Sequence, residues 1–232
     1  MLYKKVFRPL LFRLEAEKAH DLTLKLLSSN VFGTVIRPFL KFENRKLQTK
    51  AGRLTFRNPI GLAAGMDKNC TAVESWDILG FGFAEVGTVT PLPQEGNPKP
   101  RVFRCAEHQA IINRLGFNNC GADRFLKNLQ RARDNITPDF IVGVNIGKSK
   151  HTELGDAVQD YKFCFEKLYQ HADYFTINVS SPNTEGLRDL QQKEYLDQIL
   201  KELQKLNREL EEIYPCEMKD IYLKISPELT AL

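Results

Sequence analysis

From Pro59 onward the chain alternates short apolar runs with helical patterns, and this alternation limits the fold more than any other feature. Residues 59–65 (PIGLAAG), 83–90 (FAEVGTVT), 140–146 (FIVGVNI), 174–180 (YFTINVS) and 221–225 (IYLKI) read as strands, because apolar, β-branched and aromatic residues dominate them. Residues 70–79, 121–133, 155–172 and 193–213 read as helices; in 155–172, Ala157, Tyr161, Cys164, Phe165 and Leu168 share one face. Such alternation predicts a parallel sheet with right-handed crossovers. The strands are expected to be apolar on both faces, as a barrel or doubly covered sheet requires. Residues 47–57 predict a hairpin turning at Gly52, and residues 101–113 a β excursion.

Polar groups recur just past each strand. They are Gly65-Met66-Asp67-Lys68, Thr88, Asn145 with Lys148, Asn178 with Ser181, and Lys224. Five successive polar ends point to one shared site at the carboxyl face of a (β/α)8 barrel. The densest is 174–188, where Pro182, Asn183 and Gly186 end the strand and crowd Asn178, Ser180, Ser181 and Asn183 together. Its plainer reading is a Ser/Asn-rich turn capping the next helix. Five strands do not close an eight-stranded barrel. The chain is therefore expected to be part of a longer gene product, with an open five-stranded α/β sheet as the alternative.

Two segments precede the alternation. Residues 3–14 place Tyr3, Val6, Phe7, Leu10, Leu11 and Leu14 at helical spacing among Lys4, Lys5, Arg8 and Arg13. Pro9 belongs in a first turn, which predicts a late helix start. Residues 15–29 form a second helical pattern with Ala19, Leu22, Leu26, Leu27 and His20. The pair reads either as an element lying on a bilayer or as a helical hairpin packed on the domain. Residues 30–46, with Gly33, Pro38, Lys41, Arg45 and Lys46, read as a linker. The expected division is a helical membrane element with linker at 1–40 and a barrel portion at 41–232.

Residues 1–50 carry a net charge of +7 and the remainder −3, so the basic leader favours an anionic surface as partner. Its basic residues alternate with an apolar face rather than with stacking aromatics, which argues against nucleic acid. Five scattered cysteines without a CxxC pair suggest free thiols. No run of apolar residues is long enough for a membrane span.

The chemistry is narrowed by what is missing. There is no GxSxG elbow, no metal-ligand spacing, no P-loop and no GxGxxG. Lys68, Asn113, Asn145, Asn178 and Asn183 offer amides and an ammonium, while Gly65 lets a flat ring approach the backbone. That set suits a small planar molecule rich in carbonyl, N–H and carboxylate, such as an isoalloxazine or a pyrimidine.

The stretches NPIGLAAGMDKN (58–69), GFGFAEVGTVTPLPQEGNPKPRVFR (80–104), INRLGFNN (112–119), GVNIGKSK (143–150), INVSSPNTEGLR (177–188) and LKISP (223–227), together with the amino-terminal helical pair, resemble the dihydroorotate dehydrogenases of the quinone-linked, membrane-associated class 2. The resemblance implies a (β/α)8 TIM barrel, incomplete here at about five strands, that oxidises dihydroorotate to orotate through FMN with a membrane quinone as acceptor. It implies FMN contacts from Ala64, Gly65, Met66, Asp67, Lys68, Thr88, Asn145, Asn178 and Lys224. The substrate would be held by Lys68, Asn113, Arg114, Leu115, Gly116, Phe117, Asn178 and Asn183, with Ser181 as base.

His20 and Arg104 match positions near the quinone tunnel. Read from the residues alone, His20 is a satisfied core histidine and Arg104 a surface charge. The resemblance further implies a peripheral protein on the cytoplasmic face of a bacterial inner membrane, contacting it through residues 1–30. It leaves the oligomeric state open. The FMN phosphate loops lie beyond this sequence, so weak flavin binding and poor solubility are expected of these 232 residues. Other functional readings are a non-catalytic remnant of that enzyme, or a different flavin-dependent pyrimidine oxidoreductase of the same barrel type.

Overall fold

The computed structural model describes residues 3–29, 40 and 44–227. A π-helical turn at Tyr3–Phe7 runs into α1 (Arg8–Leu11), so the helix begins earlier than Pro9 suggested. Proline lacks an N–H and crowds the carbonyl four residues back. The wider π turn precedes it and avoids that ladder. Helix α2 (Ala16–Leu27) follows, capped by the Glu15 carboxylate, which accepts from the N–H groups of Glu17 and Lys18 at 3.0 and 3.1 Å. The expected linker at 30–46 lies largely outside the described residues, its end forming a 3-10 turn at Arg45–Leu47.

Strands β1 (Thr49–Ala51) and β2 (Leu54–Phe56) form the predicted hairpin about Gly52. After β3 (Gly61–Leu62) come α3 (Val73–Ile78) and β4 (Phe83–Val89). The β excursion is a second antiparallel hairpin, β5 (Val102–Cys105) with β6 (Ala110–Asn113). Helix α4 (Gly121–Arg133), β7 (Ile141–Ile146), α5 (Ala157–Leu168), β8 (Tyr174–Asn178), α6 (Lys193–Ile213) and β9 (Asp220–Lys224) complete the described chain.

Strands β3, β4, β7, β8 and β9 pair in parallel in chain order. That winding, with helices outside, is the (β/α) barrel architecture. The register places Thr176 beside Asn145 and Asn178 beside Lys224. A shift between Gly87 and Val89 leaves Thr88 out of register with β7 and re-aims its side chain.

The two sheet faces differ. Ala84, Val86, Val142, Val144, Ile146, Phe175 and Ile177 are fully buried, in one core with Phe125, Leu129, Phe165, Leu168 and Leu203 of the helices. Each large side chain buried this way contributes about 1.5–3 kcal/mol. The opposite face carries Glu85, Asn145, Tyr174 and Thr176, joined by hydrogen bonds. The expectation of two apolar faces therefore holds only for the helix side. On the inner side, polar groups on neighbouring strands satisfy one another, which removes the cost of burying them singly.

Helix α2 docks on the barrel portion. Leu24 and Leu27 pack against the core, and Ser75 Oγ donates to the Leu27 carbonyl. Tyr3, Phe7, Leu10, Leu22 and Leu26 stay exposed. The amino-terminal segment thus has a packed face, as the hairpin reading expects, and a second apolar face exposed among the described residues.

Candidate active site

A cavity of ≈ 560 Å³ opens at the carboxyl ends of the strands. Ala64, Gly65 and Lys68 wall it from the turn after β3, and Thr88 from β4. Asn113 ends β6, with Leu115, Gly116 and Phe117 after it; Asn178 ends β8, with Ser181 and Asn183 after it; Lys224 ends β9. Residues up to 160 positions apart in sequence meet here because parallel strands all end on one side.

An amide chain runs beneath the cavity. Asn178 Nδ2 donates to Thr88 Oγ1 and Asn145 Oδ1, each at 3.0 Å, and Thr88 Oγ1 donates to Asn145 Oδ1. Asn178 Oδ1 accepts from the N–H and hydroxyl of Ser180, and Tyr161 OH donates to the Asn178 carbonyl at 3.0 Å. Burial pushes the Tyr161 hydroxyl well above its ordinary value, so it remains a donor. Asn145 is fully buried behind Thr88 and Asn178.

Ser181 Oγ accepts from the Asn183 N–H at 3.3 Å. Asn183 Nδ2 reaches the carbonyl and side-chain oxygen of Asn113, both at 3.4 Å, across the cavity. The Thr184 hydroxyl is buried and has no partner among the described residues. Lys68 also makes no hydrogen bond there. Burial lowers its pKa, and the negative charges of Glu17 and Asp21 act in the opposite direction. An ammonium held this way suits a carboxylate ligand.

A second cavity of ≈ 680 Å³ lies between the amino-terminal helices and the β5–β6 hairpin. Both His20 and Arg104 line it, and Gly65, Lys68, Asn113 and Leu115 line both cavities. His20 Nε2 lies 2.7 Å from the Met66 carbonyl, and Arg104 donates to the Leu14 carbonyl while stacking over the Phe12 ring at 4.6 Å.

Residues 46–232 match the sequence profile of the family Dihydroorotate dehydrogenase. The chain belongs to the dihydroorotate dehydrogenase family. Curated relatives named dihydroorotate dehydrogenase (quinone) include one from Vibrio parahaemolyticus, 46% identical over 230 residues, covering 99% of this chain and 66% of the relative. Another, from Xylella fastidiosa, is 49% identical over 205 residues, covering 88% of this chain and 57% of the relative. A crystal structure from Eimeria tenella in complex with ferulenol superposes with a TM-score of 0.83 at 39% identity, covering 92% of this chain and 60% of that one. The chain spans about two thirds of the length of the curated relatives it matches.

Enzymes of the dihydroorotate dehydrogenase family are flavin-dependent. The residues present fit such a group. Gly65 has φ +102°, and a Cβ there would meet nothing within 4 Å, so the backbone faces open space at the junction of both cavities. Reciprocal backbone bonds hold that turn to β4: Gly65 N–H to Gly87 O at 2.9 Å and Gly87 N–H to Asp67 O at 3.2 Å.

Four residues expected at the site, Met66, Asp67, Arg114 and the buried Asn145, do not line the Ser181 cavity. The buried Asp67 carboxylate accepts from Thr71, the Ala72 N–H and Trp76 Nε1, tying the start of α3. The exposed Arg114 guanidinium donates to the Pro100 carbonyl instead of entering the cavity. Met66 lines only the second cavity. Sequence reasoning missed Glu85, and it missed the buried pair Glu17–Arg101. Glu85 is a lone acid inside an apolar strand, which was a usable signal. Arg101 had none, since its partner lies 84 positions away.

Proposed function

We propose that this chain belongs to a protein that oxidises dihydroorotate to orotate and passes the electrons through FMN to a membrane quinone, in pyrimidine biosynthesis. The observation that carries this reading is the shared wall. One cavity gathers amides, an ammonium and Ser181; the other lies under an apolar helical pair; Gly65 and Lys68 belong to both. Two substrates of different polarity then approach one flat group from separate sides.

Ala64, Gly65, Thr88, Asn178 and Lys224 would hold FMN, with Asn145 behind them orienting Thr88 and Asn178. When bound, FMN supplies the acceptor for the hydride leaving C6 of dihydroorotate. Lys68 receives the substrate carboxylate, and Asn113, Asn178 and Asn183 orient the pyrimidine amides. Ser181 takes the C5 proton. A neutral serine is a weak base and must pass that proton on. Its oxygen already accepts from the Asn183 N–H, and the buried Thr184 hydroxyl three residues on, without a partner among the described residues, offers a place for a bridging water.

The quinone enters through the second cavity past His20 and Arg104. Exposed Phe7, Leu10, Leu22 and Leu26, with Lys4, Lys5 and Arg13 beside them, support contact with the anionic cytoplasmic face of a bacterial inner membrane. No described helix is long and apolar enough to cross a membrane.

The test is anaerobic mixing of the flavin-loaded protein with dihydroorotate. Bleaching of the flavin band is expected, and Ser181→Ala slows it by about 10²–10⁴-fold. Reoxidation of reduced flavin by quinone is expected to stay near wild type. Equal loss in both half-reactions refutes the role of Ser181.

A further inference from the structure

The helical wall of the quinone-side cavity is wired to the loop on the other side of the site. Glu17 in α2 and Arg101 before β5 are 6% and 5% exposed. Arg101 Nε donates to the Glu17 carboxylate at 3.1 and 3.2 Å, and Nη2 donates at 2.6 Å. Its remaining nitrogen, Nη1, donates to the carbonyls of Glu95 and Asn97. Gly96 lies between them at φ +78°, and a Cβ there would meet the Leu115 carbonyl at 2.3 Å and Arg101 Nη1 at 2.8 Å. Only glycine lets the guanidinium and the two loops close this tightly.

Asn97 carries the connection onward. Its N–H donates to Leu115 O at 2.9 Å, and its Nδ2 donates to Arg114 O at 3.0 Å and to Asn183 O at 3.2 Å. Glu17, Arg101 and Asn97 therefore form one continuous path from α2 to the Ser181–Asn183 loop. Every step is a hydrogen bond, and the ionic step at its start is desolvated and bidentate.

We infer that Glu17 and Arg101 are positioning residues that set the geometry of the dihydroorotate loop from the quinone-side helix. This rests on the proposed function for the identity of the ligand, but the path itself does not. The pair does not line the Ser181 cavity, so it acts through Asn97. A helix that closes the quinone cavity thereby also holds the pyrimidine-binding amide in place, and displacement of α2 loosens both sides of the site together.

The experiment uses flavin-loaded protein, hydrogen exchange and orotate titration. Glu17→Gln is expected to raise amide exchange at Asn97, Asn183 and Thr184, leave α4 protected, and weaken orotate about tenfold. Asn97→Ala cuts the far end of the path without touching α2. It is expected to weaken orotate similarly, and it serves if Glu17→Gln does not fold. Ser75→Ala loosens the carboxyl end of α2 but leaves Arg101 paired, and is expected to keep wild-type orotate affinity. Unchanged exchange at Asn183 and Thr184 in folded Glu17→Gln overturns the inference, as does unchanged exchange there in Asn97→Ala or an equal loss of orotate affinity in Ser75→Ala. Wild-type protein that fails to bind orotate defeats the proposed ligand instead, and the exchange data still decide the path.

Discussion

Glu85 Oε1 accepts from Asn145 Nδ2 at 2.8 Å on the inner face of the sheet. A carboxylate has no proton to give, so it dictates which end of the Asn145 amide faces it. The Asn145 oxygen then points to Thr88 and Asn178, and Asn178 must turn its NH2 inward and its oxygen toward Ser180. Glu85→Gln removes that polarity rule, because a glutamine amide presents either end. The expected result is a loss of about 1–3 kcal/mol in stability by denaturant titration and weaker flavin binding by fluorescence quenching. Unchanged flavin affinity would show that the amide chain keeps its orientation without the carboxylate.

Gly65 stands at φ +102° with open space where a side chain would project. Gly65→Ala meets no clash in the protein, so its cost comes from the backbone alone, about 1–3 kcal/mol. Thermal melting should register this loss without flavin. Adding flavin should widen the gap between variant and wild type, because the methyl group occupies the junction of the two cavities. A gap that is the same with and without flavin would place the ring elsewhere.

Helix α2 is expected to loosen in acid. Arg101 holds the Glu17 carboxyl below its usual range, with Lys99 3.5 Å away adding to the effect. A depressed value means the stabilisation is complete above the unfolded-state value of about 4.3 and is lost as pH falls through the folded value. Glu15, whose carboxyl is lowered by the N–H groups it caps, titrates in the same direction. Proteolysis within α2 between neutral pH and about pH 3 measures this. Glu17→Gln should lower resistance at neutral pH and flatten the profile, leaving only the Glu15 component. A profile as steep as wild type would assign the acid sensitivity to another group.

The exposed face of the amino-terminal segment should carry vesicle binding. Phe7→Ser with Leu10→Ser removes two large apolar side chains from the surface. Sedimentation with anionic vesicles is expected to show at least about tenfold weaker partitioning, from a nominal 1.5–3 kcal/mol per buried side chain. Raising the salt should weaken wild-type binding as Lys4, Lys5, Arg8 and Arg13 are screened. Equal binding by variant and wild type would leave charge as the sole attraction.

Much of the fold was readable along the chain. Residues 121–133 and 193–213 are helices as predicted, because their apolar residues recur at helical spacing and both are long. Strand β3 is shorter than the apolar run suggests, since the Ala63–Gly65 segment leaves the sheet to form the turn at the cavity. The site was legible as a collection of strand ends, whereas its side-chain directions were not. Asp67 and Lys68 are adjacent acid and base in one motif, yet one ties down the turn before α3 and the other faces both cavities. Of the two arginines in KPRVFR, Arg104 stood out while Arg101 forms the buried pair. Removing residues 1–30 would leave Arg101 without its Glu17 partner, so the leader and the site loops are not physically independent.

By itself, the sequence determined the alternation of strands and helices, the parallel winding that follows from it, and the end of the strands at which polar groups gather. Those properties depend on local periodicity and on chirality, which a linear reading contains. Only the tertiary structure decided which face of each strand is polar, which amide gives and which accepts, and that Glu17 meets Arg101. These depend on register between strands and on partners 33 to 91 positions apart, and no local pattern encodes a partner at that separation.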